Sequence, residues 1–151
     1  MDLEALTGGR YIRVDLRASR KETAIELLLD CLLEEGALPE DSRADLLETI
    51  LERERRLSTG LEAGIAIPHG TTPRIEREVA ALGIFPEGVP FEAVDSATTR
   101  IVILLVTPQA MRYRHVNNLA AIARQLLRPE VRSALLKATS REEALAAIRL
   151  E

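Results

Sequence analysis

A layered α/β domain is predicted by three features of this 151-residue sequence. Residues 100–106 (R-I-V-I-L-L-V) form one nearly unbroken apolar run. Shorter strand-like segments lie on either side of it, and amphipathic helical stretches occupy both ends of the chain. A strand apolar at every position is covered on both faces, and helices interleaved with strands supply that cover. The expected architecture is a single three-layer α/β/α domain over residues 1–151, a mixed sheet of about five strands flanked by helices. Strand order is not legible in the pattern.

Each element has its own signal. Residues 11–16 (Y-I-R-V-D-L) alternate apolar and polar, which predicts a half-buried strand. Ser19-Arg20-Lys21-Glu22 has the form of a capping box and predicts a helix to about Glu35, ended by Gly36. A second helix begins near Pro39-Glu40-Asp41, whose carboxylates suit a helix N-terminus, and carries Leu46, Leu47, Ile50 and Leu51 at helical spacing to about Arg56. Ser58-Thr59-Gly60 reads as a turn. Gly64-Ile65-Ala66-Ile67 reads as a buried strand ending in a rigid bend at Pro68-His69-Gly70, because proline fixes its φ and lacks a donor. Residues 79–85 predict another strand, Pro86-Glu87-Gly88 a turn, and residues 89–93 a short strand. The last third is helical: one helix from Pro108 or His115 to Leu127 with Leu119, Ile122, Leu126 and Leu127 inward, a short one after Pro129, and one opened by a capping box at Ser140-Arg141-Glu142-Glu143.

Composition narrows the function. Hydrophobic residues at 46% and charged residues at 29% suit a globular chain that can bury a core without staples. A net charge of −4 argues against nucleic-acid binding, which needs a concentrated basic surface. The N-terminus MDLEALTGG lacks the basic and apolar regions of a secretory signal, and the longest strongly apolar run is far shorter than a membrane span. No membrane insertion is expected, and a cytoplasmic location is. The one cysteine, Cys31, excludes an intrachain disulfide; with Ala24, Ile25, Leu28 and Leu32 it falls on an apolar helical stripe and is expected to pack as a small hydrophobe.

Two histidines, His69 and His115, are the residues best able to carry chemistry. His69 stands where a strand emerges, held behind Pro68 and followed by Gly70, which leaves room for close approach. A neutral imidazole is a competent nucleophile at physiological pH. Two imidazoles without a cysteine pair or a third ligand at motif spacing make a poor zinc site. Neither a nucleotide-cradling glycine loop nor G-x-S-x-G is present, so kinase and hydrolase readings lack support, and no cofactor is expected.

Read whole, the string Glu52-Arg53-Glu54, Ser58-Thr59-Gly60-Leu61 and Gly64-Ile65-Ala66-Ile67-Pro68-His69-Gly70 resembles the signature of the mannitol, fructose and nitrogen-type Enzyme IIA family of the bacterial phosphotransferase system. The resemblance continues through Pro86-Glu87-Gly88-Val89-Pro90-Phe91, residues 100–108, and His115 to Leu127, and is closest to the nitrogen-regulatory branch. It implies a phosphocarrier in which His69 accepts a phosphoryl group from the HPr-type carrier protein and passes it to an Enzyme IIB or signals with it to a regulated kinase, transporter or regulator. It also implies that His115 is the second histidine of the site and Arg53 the arginine of an arginine-glutamate pair, both offsetting phosphoryl charge. Thr59 and Gly70 are candidates for supporting the site or binding phosphate. Taken bare, Arg53 fits equally a solvated helix face, and Thr59 ordinary turn duty. Two departures stand out. Glu62 and Ala63 replace a glycine and a small polar residue, and Met111-Arg112-Tyr113-Arg114 replaces a more acidic run, which bears on docking of a basic HPr surface. The ends of the chain fall near the expected domain limits, with no IIB or membrane part attached.

Overall fold

The computed structural model describes residues 2–92, 95, 97–113 and 115–150, the side chains of His115 and Val116 excepted. Its centre is β5 (Thr99–Pro108), as the apolar run predicts. β5 pairs antiparallel with β4 (Val79–Val89), and β4 pairs parallel with the short β1 (Ile12–Arg13). On its other side β5 pairs parallel with β2 (Ile65–Ala66) and then with β3 (His69–Thr72). The result is a mixed five-stranded sheet in the order β1-β4-β5-β2, with β3 extending the β2 edge.

Alternation along β5 splits the core in two. Val102, Leu104 and Val106 face α2 (Lys21–Glu34) and α3 (Arg43–Arg56), meeting Ile25, Leu28, Leu32, Leu46 and Ile50. Ile101, Ile103 and Leu105 face the other way, onto α1 (Leu3–Thr7), α4 (His115–Leu126), α5 (Pro129–Lys137) and α6 (Arg141–Ile148). This is the three-layer α/β/α arrangement the sequence predicts.

Local chemistry explains where the elements depart from expectation. α2 starts without a side-chain cap: Arg20, not Ser19, is the N-cap residue, so the capping-box reading fails there. Half of it holds at α6, where Ser140 Oγ accepts from Glu143 N at 3.1 Å while the Glu143 carboxylate accepts from Thr139 N at 2.8 Å. Gly36 follows α2 at φ +76°, the left-handed conformation a helix end requires. The first strand shrinks to two residues because Asp15 takes φ +54° and breaks the extended run. Residues 86–88 do not make a turn between two strands. β4 carries on through them with a register shift between Ile84 and Val89, and Gly88 takes φ +89° within the irregularity. Of the expected strand at 89–93, Val89 belongs to β4, and Ala93 lies outside the described residues. α1, not expected from the sequence, is capped by Asp2, whose carboxylate accepts from Ala5 N at 2.9 Å. Among the described residues no helix is long and apolar enough to cross a membrane.

Candidate functional site

The edge of the sheet opposite β1 builds the site. Pro68 interrupts it between β2 and β3 yet does not end it: Leu105 N donates to Pro68 O at 3.0 Å, and pairing with β5 resumes at His69. Proline is tolerated because the segment lies on the edge, where its missing donor breaks no second ladder. His69 therefore begins a strand, where the sequence reading had it closing one.

Register fixes the direction of the imidazole. His69 lies beside Leu105, and residues paired in register share a face. Leu105 belongs to the core layer of α4, so His69 does too. Gly70 faces the opposite layer, where an added Cβ would sit 2.8 Å from Ile50 Cγ1. The close approach that glycine permits here is that of α3 against β3. His69 is half-buried, and its Nδ1 lies 2.9 Å from Ile67 O. A carbonyl only accepts, so Nδ1 carries a proton, and in the neutral form of the ring the nucleophilic pair is the one on Nε2.

Opposite His69 stands the C-terminal end of α3. Leu46, Ile50 and Glu54 form one buried stripe at four-residue spacing, so Glu54 points inward and is only 3% exposed. Its carboxylate accepts from Thr59 Oγ1 at 2.5 Å, from Thr59 N at 3.0 Å and from Lys21 Nζ at 3.3 Å. Arg53, one residue earlier, is half-exposed and donates through Nη1 to Leu57 O at 2.7 Å, stretched along the turn that ends the helix. The loop after α3 is stitched to the strand that leads to His69: Leu61 N donates to Ile65 O at 2.7 Å and Ile67 N to Thr59 O at 3.2 Å. Thr59 is thus buried and tied to Glu54, a structural partner of the loop.

These residues line a cleft of about 860 Å³ that brings together Lys21, Arg53, Glu54, Thr59 and His69 with Glu92. Leu57, Leu61 and Ile67 give it apolar ground on one side, Leu119, Ala120 and Ala123 of α4 on the other. Among the described residues four cations and two carboxylates line it, Glu54 and Glu92 both paired with Lys21. Burial opposes the charge on Lys21, but its bonds to Glu92 and Glu54 outweigh that and hold its pKa above the ordinary lysine value. The same Lys21 bond holds Glu92 below the ordinary carboxylate range. Lys21 is offset by its two carboxylates, so the positive charge left over in the cleft that holds His69 comes from Arg53, Arg55 and Arg56, which suits an anion there.

His115 opens α4, the helix that forms one cleft wall; its side chain lies outside the described residues. Arg114 also lies outside them. Arg112 stacks over the exposed Tyr113 ring, 4.6 Å from the centroid. Glu62 is exposed and does not line the cleft, so its charge faces water. Ala63 takes φ +61°, and its N–H donates to Asp95 Oδ2 at 3.0 Å. Lys21, Glu92 and a third acidic group, Glu78, were not found by sequence reasoning. Glu78, on the α4 face before β4, is 5% exposed; it accepts from Thr107 Oγ1 at 2.5 Å and from Asn118 Nδ2. Among the described residues no three His, Cys, Asp or Glu side chains converge as a metal site would need.

The mixed five-stranded sheet with helices on both faces matches the fold of solved phosphotransferase-system IIA proteins. Residues 6–150 match the family model described as phosphoenolpyruvate-dependent sugar phosphotransferase system, EIIA 2, and the chain belongs to that family. It is 33% identical over 141 residues to the fructose-specific EIIA component of Haloferax volcanii, covering 93% of this chain and 90% of that one. Among solved structures it resembles the nitrogen regulatory protein IIA-Ntr of Neisseria meningitidis, with a TM-score of 0.82 and 27% identity over 95% of this chain and 97% of that one. It also resembles the mannitol IIA of Escherichia coli, solved in complex with phosphorylated IIB, with a TM-score of 0.75 and 25% identity over 92% and 94% of the two chains.

Proposed function

We propose that this chain is a phosphohistidine carrier of the phosphotransferase system, accepting a phosphoryl group on His69 from a phosphorylated HPr-type protein. The observation that carries the reading is the bond from His69 Nδ1 to Ile67 O, which places the proton on Nδ1 and, in the neutral ring, the nucleophilic electron pair on Nε2, in a cleft lined by Arg53, Arg55 and Arg56. In the transfer, the Nε2 pair forms the new N–P bond while the donor's N–P bond breaks and its electron pair returns to the donor imidazole. His69 keeps its Nδ1 proton, so the product is a phosphoimidazolium and the donor, with its own ring proton, leaves as a neutral imidazole. Arg53 is placed to present a fork of donors to the phosphoryl oxygens once it leaves Leu57 O. His115 supplies a second donor or a proton from the start of α4. One N–P bond replaces another, so the step is reversible.

The reading extends to a nitrogen-type regulatory carrier working in the cytoplasm. The likeness to IIA-Ntr supports it, while the fructose-specific relative supports a sugar-specific role. Downstream, the carrier hands its group to an Enzyme IIB or signals with it. The test is incubation with Enzyme I, HPr and phosphoenolpyruvate. Acid-labile label is expected in the wild type and absent in His69→Ala. Absence of label in the wild type, with HPr itself labelled, refutes the carrier and leaves a docking module. Onward transfer to a fructose-type IIB then separates the sugar-specific role from the regulatory one.

A further inference from the structure

Glu78 is a buried carboxylate for which the proposed transfer has no direct use. It precedes β4, and since Val79 pairs with Val106, it lies next to Thr107 at the end of β5. Thr107 is in turn paired with Thr71, two residues along β3 from His69. The described hydrogen bonds to the Glu78 carboxylate come from Thr107 Oγ1 and from Asn118 Nδ2, both neutral donors. No lysine or arginine among the described residues forms an ion pair with it. Burying a carboxylate with neutral partners alone is costly, and an apolar side chain of similar volume fills such a place without the desolvation penalty. What the carboxylate provides in exchange is direction, since a hydrogen bond fixes a helix in one position where apolar contact allows sliding.

The helix it fixes is α4, and the turn it fixes is the first. Among the described side chains the apolar anchors of α4 are Leu119, Ile122 and Leu126, in the middle and end of the helix. In the first turn, the described tie to the sheet is Asn118 to Glu78. Asn118 follows His115 by three residues, on the same helical face.

We infer that Glu78 is a positioning residue for the phosphoryl site, acting through Asn118 to fix the first turn of α4 and so the place of His115 relative to His69. This rests on the carrier reading above. With Glu78 in place, the backbone of His115 is tied through Asn118 and Glu78 to Thr107 of β5, the strand that also pairs with His69. Without it, the first turn lifts from the sheet while the rest of α4 stays packed.

The experiment combines Glu78→Gln and Glu78→Leu, each alone and with His115→Ala, in the phospho-HPr assay. In the wild-type background Glu78→Leu lowers kcat about tenfold or more and Glu78→Gln, whose amide oxygen still accepts from Asn118, lowers it less, both leaving KM for phospho-HPr unchanged because the docking cleft is intact. In the His115→Ala background they add no further loss, because the group they position is gone. Equal losses in both backgrounds, or none in the wild type, overturn the proposal. Hydrogen exchange gives a readout independent of transfer: amides 116–119 exchange faster in Glu78→Leu while those of β5 keep their protection. Unchanged exchange at 116–119 also overturns it. A wild type that takes no label removes the carrier reading and with it the transfer role of Glu78, whereas exchange still decides whether Glu78 anchors the turn.

Discussion

Glu54 and Thr59 are joined twice, the carboxylate accepting both the hydroxyl of Thr59 at 2.5 Å and its backbone N–H at 3.0 Å. That pair of bonds ties the last turn of α3 to the loop that runs alongside β2, the strand leading to His69. The helix thereby presents Arg53 to the cleft while its neighbour locks the loop. Removing the carboxylate leaves two buried donors of Thr59 and the half-buried Lys21 ammonium short of a partner. Glu54→Ala is expected to cost about 2–4 kcal/mol, and Glu54→Gln less, because an amide oxygen still accepts from Thr59. Urea melts of the two variants check this; a Glu54→Ala loss below about 1 kcal/mol means the loop is held by other contacts.

The layers and most helix positions were legible because they follow from periodicity: the stripe of Leu46 and Ile50, the apolar run of β5, and Pro129 at a first turn. The site was legible only in part. His69 and Arg53 came from the resemblance of a long motif, not from spacing, since a histidine after a proline and an arginine on a polar face are each commonplace. Glu54 carried a readable signal, a charged residue four positions past Ile50 on an apolar stripe. Glu78, Lys21 and Glu92 carried none, because their partners lie 40, 33 and 71 residues away in sequence and meet only through the sheet. The continuation of the edge strand past Pro68 was hidden for the same reason: it depends on β5 offering donors to Pro68 O.

Arg53 and His115 should separate transfer from stability. The described bond of Arg53 is to one exposed residue's carbonyl, so Arg53→Ala is expected to cost under about 1 kcal/mol in folding. Loss of a guanidinium facing the phosphoryl oxygens should slow transfer by roughly ten- to a hundredfold. His115→Ala is expected to slow transfer similarly while melting near the wild type. Stopped transfer kinetics beside thermal melts decide the matter, and a wild-type rate in either variant removes that residue from the site.

Ala63 sits at φ +61°, a conformation that costs an L-residue about 1 kcal/mol and glycine little. Ala63→Gly is therefore expected to change stability by a gain of up to about 0.5–1 kcal/mol, reduced by the greater freedom of glycine in the unfolded chain. Asn, which tolerates this region, should do as well or better. The hydrogen bond from Ala63 N to Asp95 is a backbone bond and survives both changes. Chemical denaturation is the measurement, and a loss of more than about 0.5 kcal/mol in both variants shows that the turn is not strained.

Cys31 predicts an alkaline limit to stability. It is 1% exposed on the inner face of α2, and burial pushes its thiol from 9.0 up to about 11, against a smaller opposing pull from Arg13. Below pH 9 the thiol is neutral folded and unfolded alike, so its packing contributes in full. Between 9 and 11 the unfolded chain ionises and the folded chain does not, which favours unfolding. A shift of this size corresponds to about 2–3 kcal/mol lost by the top of the window. Other groups titrate there too, so the comparison is with Cys31→Ala. Whatever lead the wild type holds at pH 8 should shrink steadily toward pH 11 and reverse if it starts below that amount. A difference between the two proteins that stays flat over the window means the thiolate forms in the folded core without penalty, and burial is not what governs Cys31.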